Sequence, residues 1–191
     1  MKPWTERFLD LGTLLAKPDP RPDISVYNDM PYAIFHYPPS EEFTFRRELN
    51  MMVTRLRTQS AKRVTVISLA ELLDQAVNTD MSWPELIADE RTFDLGMVQD
   101  TIHAILDKDA PLPDLVQAAM PQDADPFRDV VFLWRTGSLF PFYRTFALLE
   151  QLKGKVSAPT VLCYPGSLDG PAGLQFMGML EAEHNYRPKI F

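Results

Sequence analysis

The sequence predicts an α/β fold of three layers, with a mainly parallel sheet of about four strands between helices. Two stretches carry that expectation. Val130-Val131-Phe132-Leu133-Trp134 and Thr160-Val161-Leu162-Cys163-Tyr164 are unbroken apolar runs, stopping at Arg135-Thr136-Gly137-Ser138 and at Pro165-Gly166-Ser167-Leu168-Asp169-Gly170. A run apolar on both alternating faces fits a strand covered on both sides. Between the runs, Leu139, Phe142, Phe146 and Leu149 recur at helical spacing, with Tyr143, Leu148 and Leu152 widening the stripe. Strand, helix, strand is a βαβ unit. Its right-handed crossover places both turns on one edge of the sheet, where open α/β sheets bind ligands and partners.

Taken in order, the chain opens with Trp4, Phe8, Leu11 and Leu15 on one face of a helix, stopped by Pro18, Pro20 and Pro22. Residues 1–22 are therefore a helix and a Pro-rich joint, and the helix is free to be an arm. Tyr32–Tyr37 reads as the first strand, ended by Pro38-Pro39. Ser40 is expected to cap a long helix, with Glu41 and Glu42 at its positive end and Phe45, Leu49, Met52, Val53 and Leu56 on its apolar face. Arg63–Ser68 is the second strand. Ser68-Leu69-Ala70-Glu71 and Ser82-Trp83-Pro84-Glu85 are capping boxes, and Asp94 caps a helix whose stripe is Leu95, Val98, Ile102, Ile105 and Leu106. Residues 69–120 thus form a helical insertion between strands two and three. A closing helix is expected around Leu174 to Glu183, and the tail His184–Phe191, ending on Ile190 and Phe191, is expected to dock on the body. The whole of 1–191 reads as a single domain.

With 46% hydrophobic and 24% charged residues, the chain can build a full core. A net charge of −7 leaves little counterion-release driving force, so tight direct nucleic-acid binding is not expected. The basic residues Arg46, Arg47, Arg55, Arg57, Lys62 and Arg63 spread along one helix and its exit, the pattern of a solvated face. Cys163 is the single cysteine, which fits a reducing compartment and a small buried hydrophobe. No run approaches the roughly 20 apolar residues of a membrane span, and the N-terminus lacks a signal-peptide core. A soluble cytoplasmic protein is expected.

Catalytic sets are harder to find. A phosphate-binding loop needs glycines followed by Lys and Ser/Thr, and neither turn supplies them. Thr136-Gly137-Ser138 offers backbone donors beside Arg135 and could hold an anion, but an ordinary turn capped by Ser138 is the simpler reading. Ser167, Asp169 and His184 contain the ingredients of a nucleophilic triad without a Gly-x-Ser-x-Gly elbow, and chance explains them better. Asp169 is expected to bond its own backbone in an Asx turn. His36, His103 and His184 are too scattered for a metal site, and His36 at a strand end reads as a hydrogen-bonded core residue. No catalytic, cofactor-binding or metal-ligating residue is assigned, and no enzyme activity is expected.

Three separated stretches carry a resemblance: Leu139-Phe140-Pro141-Phe142-Tyr143-Arg144-Thr145, Tyr164-Pro165-Gly166-Ser167-Leu168-Asp169-Gly170, and Glu183-His184-Asn185-Tyr186-Arg187-Pro188-Lys189-Ile190. Together, in this order, they resemble the BrxB family of bacterial BREX phage-defence systems. The resemblance implies membership of a multi-protein system that also carries a methyltransferase, an ATPase and PglZ, a member of the alkaline phosphatase superfamily. It hands over no catalytic residues. Combined with the turn edge, it leads to the expectation of an assembly subunit that binds other BREX proteins, PglZ foremost and the ATPase as a further candidate. The expected partner-facing residues are Arg135, Thr136, Ser138, Ser167, Leu168 and Asp169. The alternatives are a degenerate nucleotide-binding or hydrolytic module using the same turns and, after it, a DNA-binding subunit.

Overall fold

A strand buried at every position belongs inside a sheet covered on both faces, and β1 (Tyr32–Tyr37) is such a strand. The computed structural model describes residues 2–25, 31–92, 94–170, 173–184 and 188–191. The other strands are β2 (Arg63–Ser68), β3 (Asp129–Trp134), β4 (Thr160–Asp169), β5 (Gly173–Phe176) and β6 (Lys189–Ile190). They order as β2-β3-β4-β1-β6, with β5 pairing the outer part of β4. All pairings are parallel except β4 with β5. The class is α/β as expected, but among the described residues the sheet has six strands rather than about four.

Helices cover both faces. On one, α1 (Trp4–Leu15) and α3 (Glu42–Gln59) lay Phe8, Leu11, Leu15, Phe45, Leu49 and Leu56 over Ala33, Phe35, Phe132 and Cys163. The first helix is therefore packed on the sheet and is not an arm. After it, α2 (Arg21–Ile24) buries Ile24 in the same cluster. On the other face lie α4 (Leu69–Asp80), α5 (Trp83–Thr92), α6 (Leu95–Ala104), α7 (Leu112–Ala119) and α8 (Thr145–Gln151). Their Leu73, Ile102, Val116 and Leu148 pack over Ile34, Ile67, Val131 and Leu162. The insertion has its expected caps: Ser68 Oγ accepts from Glu71 N–H, Ser82 N–H donates to the Glu85 carboxylate, and Asp94 accepts from Gly96 N–H.

Four local expectations are corrected. The helix expected after β3 is split into a 3-10 turn (Thr136–Leu139) and α8, because Pro141 offers no N–H and its ring obstructs a continuing helix. The apolar stripe survives the break, with Leu139, Tyr143, Leu148, Leu149 and Leu152 all buried. Residues 174–183 are not a helix: β5 and a turn occupy them, and Leu174 bridges Glu183. Pro165-Gly166 is not the end of β4, which runs on to Asp169 as one arm of a hairpin with β5. Pro165 needs no N–H partner from β3, whose pairing stops at Leu162, and its carbonyl accepts from Met177 N–H. Ser40 lies within a 3-10 turn ahead of α3, whose N-terminus has no side-chain cap.

The basic stretch is not uniformly a solvated face either. Lys62 is buried, its Nζ donating to the carbonyls of Phe127 (2.7 Å) and Pro18 (3.1 Å), so it ties the joint after α1 to the approach to β3. Cys163 is fully buried, and burial raises its thiol pKa.

Candidate functional site

Parallel strands end together, so the segments leaving β1, β3 and β4 meet at one edge. After β1, Pro39 and the first turns of α3 bring Glu42 and Arg46 there; after β3, the backbone turns left-handed at Arg135 (φ 55°) and enters the 3-10 turn. With Pro165 of β4 and Met177 beyond β5, these segments enclose a cleft of about 310 Å³ lined by Pro39, Glu42, Arg46, Arg135, Gly137, Ser138, Pro165 and Met177. The cleft lies outside the carboxyl ends of strands whose connections leave in opposite directions, the place where doubly wound sheets bind ligands. Gly137 allows the close approach: a Cβ there would lie 3.3 Å from Met177 Sδ and 3.5 Å from Pro165 Cγ.

The cations of the cleft are placed differently. Arg46 Nε donates to Glu42 at 2.8 Å, and the same carboxylate accepts from the Tyr37 hydroxyl. Arg135 Nε is buried with no hydrogen-bond partner among the described residues. Ser138 Oγ donates to the Arg135 carbonyl at 2.8 Å, closing the turn rather than capping a helix. Nearby, Thr136 is 0% exposed and its Oγ1 is likewise unpartnered among the described residues.

His36 and Arg7 lie beneath the same edge. Arg7 Nη2 donates to the His36 carbonyl at 3.1 Å, and Arg7 Nε and His36 Nε2 are buried without partners among the described residues. Burial, reinforced by the Arg7 charge and opposed by a hydrogen bond with the Gly166 backbone, lowers the His36 pKa from 6.5 to about 4. The sign of the linkage follows. Above pH 6.5 both states hold a neutral imidazole; as pH falls toward 4 the unfolded chain takes a proton that the folded one refuses, so stability is lost across that window. Between pH 7 and pH 5 the His36 share is about 2 kcal/mol. His36→Gln is expected to lose correspondingly less stability over that interval than the wild type, read from urea unfolding at the two pH values. Parallel losses in the two proteins would remove His36 as the source.

The six sequence-expected residues do not form one surface. Arg135 and Ser138 share the cleft, whereas Thr136 is buried beside it. Ser167, Leu168 and Asp169 lie farther out on the β4–β5 hairpin, in register with Gln175, Leu174 and Gly173, and are not part of the cleft lining. Ser167 and Asp169 are exposed, while Leu168 is half-buried and packs on the core. The residue that would close the Asx turn expected of Asp169, position 171, lies outside the described residues; the Asp169 carboxylate stands 3.8 Å from His184 Nε2, both side chains about 60% exposed, a geometry worth little in water. No hydrogen bond joins Ser167 to His184 among the described residues. Sequence reasoning missed Pro39, Glu42, Arg46 and Met177. The first three follow directly on a strand whose neighbours only the pairing reveals.

Among the described residues, no three His, Cys, Asp or Glu side chains gather in a group able to hold a metal ion. No described helix is long and apolar enough to cross a membrane.

Comparison with known proteins adds a family. A family model described as "BREX protein BrxB" matches residues 65–190. The chain is also similar to a protein named "BREX protein BrxB" from Bacillus cereus (strain H3081.97), with 24% identity over 165 residues, covering 84% of this chain and 82% of that protein. No solved structure gave a significant match.

Proposed function

The chain belongs to the BrxB family, and from that premise we propose that it is a non-enzymatic docking subunit of a BREX anti-phage complex in the cytoplasm, with PglZ as its principal partner. The observation that carries the reading is the carboxyl edge of the sheet. It presents Arg135 and Ser138 on a strand end, beside a hairpin with exposed Ser167 and Asp169. Polar groups on rigid strand ends fix the register of a docked protein. The acidic balance of the chain, net −7, supports a protein partner over nucleic acid.

Charge reversal tests it. Arg135→Glu and Asp169→Arg are expected to weaken capture of co-expressed PglZ at least tenfold, about 1.4 kcal/mol, while melting within about 2 °C of wild type. Should the wild-type chain capture no PglZ, or both variants capture it at wild-type affinity, the docking face is elsewhere or the partner is wrong. The helical insertion would then be the next surface to vary. The position of the cleft favours one second reading, a degenerate nucleotide site. Saturable ATP binding by the isolated chain would favour it, although neither turn supplies a phosphate-loop lysine.

A further inference from the structure

We propose that the cleft at the carboxyl edge receives an acidic side chain of the docked partner, its carboxylate held by Arg135 and its methylenes lying against Pro39, Pro165 and Met177. The proposal rests on the docking role above. It deepens that role by naming the chemistry the partner presents.

Charge selects a carboxylate over a phosphate. Arg46 and Glu42 are ion-paired at 2.8 Å and offset each other, leaving Arg135 as the cation of the lining with no ion pair among the described residues. A site with one spare positive charge matches a monoanion. A phosphate dianion would leave excess negative charge facing Glu42, and the backbone here has no glycine-rich cradle to absorb it.

Two features of Arg135 itself point the same way. Its backbone is left-handed at φ 55°, a conformation that side chains other than Gly rarely adopt and that clusters at ligand clamps. Its Nε is buried yet unpartnered among the described residues, an unsatisfied charged donor on a group built to take a carboxylate in a two-pronged grip. The turn that holds it is closed by the Ser138 hydroxyl on the Arg135 carbonyl. At about 310 Å³ the cleft stands at the low end of the roughly 300–1,000 Å³ of small-molecule sites, enough for one side chain and its flanks.

The test uses the full chain, ¹⁵N-labelled, titrated separately with N-acetyl-glutamate N-methylamide, its glutamine counterpart and inorganic phosphate. Saturable shifts of the Arg135, Gly137 and Ser138 amides are expected with the glutamate probe in the millimolar range, and none with glutamine. Arg135→Asn should abolish them; asparagine tolerates the left-handed backbone, so this variant removes the charge with least strain. Arg135→Lys keeps the charge without the planar fork and is expected to retain a weakened response. Equal responses to glutamate and glutamine, shifts confined to other regions, or phosphate binding as tight as glutamate would each overturn the proposal. PglZ capture is read separately. Arg135→Asn is expected to weaken it at least tenfold, and wild-type capture by that variant overturns the anchor while leaving the docking role standing. If the wild-type chain captures no PglZ, the docking role falls, and a glutamate-specific titration still supports a carboxylate cleft.

Discussion

Phe45→Ala is expected to destabilise the protein by about 3–5 kcal/mol, the range for truncating a buried aromatic. Phe45 is 1% exposed at the centre of an aromatic cluster between α3 and the sheet. Its ring stacks on Tyr37 with centroids 3.9 Å apart and planes 5° apart, stands 5.2 Å from Phe8, and lies 5.9 Å from both Phe35 and Trp4. Four aromatic partners held on α1 and β1 cannot all collapse into the space left behind, so the cavity cost adds to the lost burial. For a chain of this size each kcal/mol moves the melting temperature by about 2–4 °C, so a fall of about 6–20 °C is expected by circular dichroism. Phe43, two residues earlier and 81% exposed, is the control: Phe43→Ala is expected to stay within about 0.5 kcal/mol of wild type. Similar melting of the two variants would show that the cluster does not hold α3 to the sheet.

Deleting Pro188–Phe191 is expected to cost about 2–4 kcal/mol and to lower the melting temperature by about 5–15 °C. The deletion removes β6 from the side of β1. Phe191 N–H donates to the Ile34 carbonyl at 2.8 Å, and its own carbonyl accepts from His36 N–H at 3.2 Å. Ile190 packs on one core and Phe191 on the other, so one short strand closes both faces of the sheet at that edge. Lys189 Nζ donates to the Asp23 carbonyl at 2.7 Å, tying the strand to α2. Without these residues the edge of β1, the most buried strand, is left open. An unchanged melting temperature would make the tail a free peptide segment and remove it from the fold. Residues 185–187 of the tail, part of the third resemblance stretch, lie outside the described residues.

Much of the fold was legible because its signals are local. β1 was placed by an apolar run ended by proline, β3 by a run apolar on both faces, and the insertion by capping residues adjacent in sequence to the helices they start. The break at Pro141 was also in view, standing within the expected helical stripe, but the periodicity of Leu139, Phe142, Phe146 and Leu149 outweighed it. The closing segment failed for a different reason. Leu174 and Phe176 sit two apart on a strand of four residues, too short to show a period, and only pairing with β4 and the Glu183 bridge makes them strand. Of the cleft, Arg135 and Ser138 were legible as a turn following an apolar run, whereas Arg46 looked like one more charge on a solvated helix.

By itself, the sequence determined the α/β class, the βαβ unit from β3 to β4, the helical insertion and the resemblance to BrxB proteins. Each rests on residues within a few turns of one another or on short stretches of fixed order. Tertiary structure alone decided that β1 lies between β4 and β6, that β4 runs past Pro165 into a hairpin, and that Glu42 and Arg46 join Arg135 around one cleft. The physical reason is that local pattern encodes which faces of an element must be buried, while strand order is set by pairing between segments more than a hundred residues apart, as in Tyr37 with Pro165. A buried strand satisfies its own apolar pattern beside any neighbour; the packing of the whole chain chooses which.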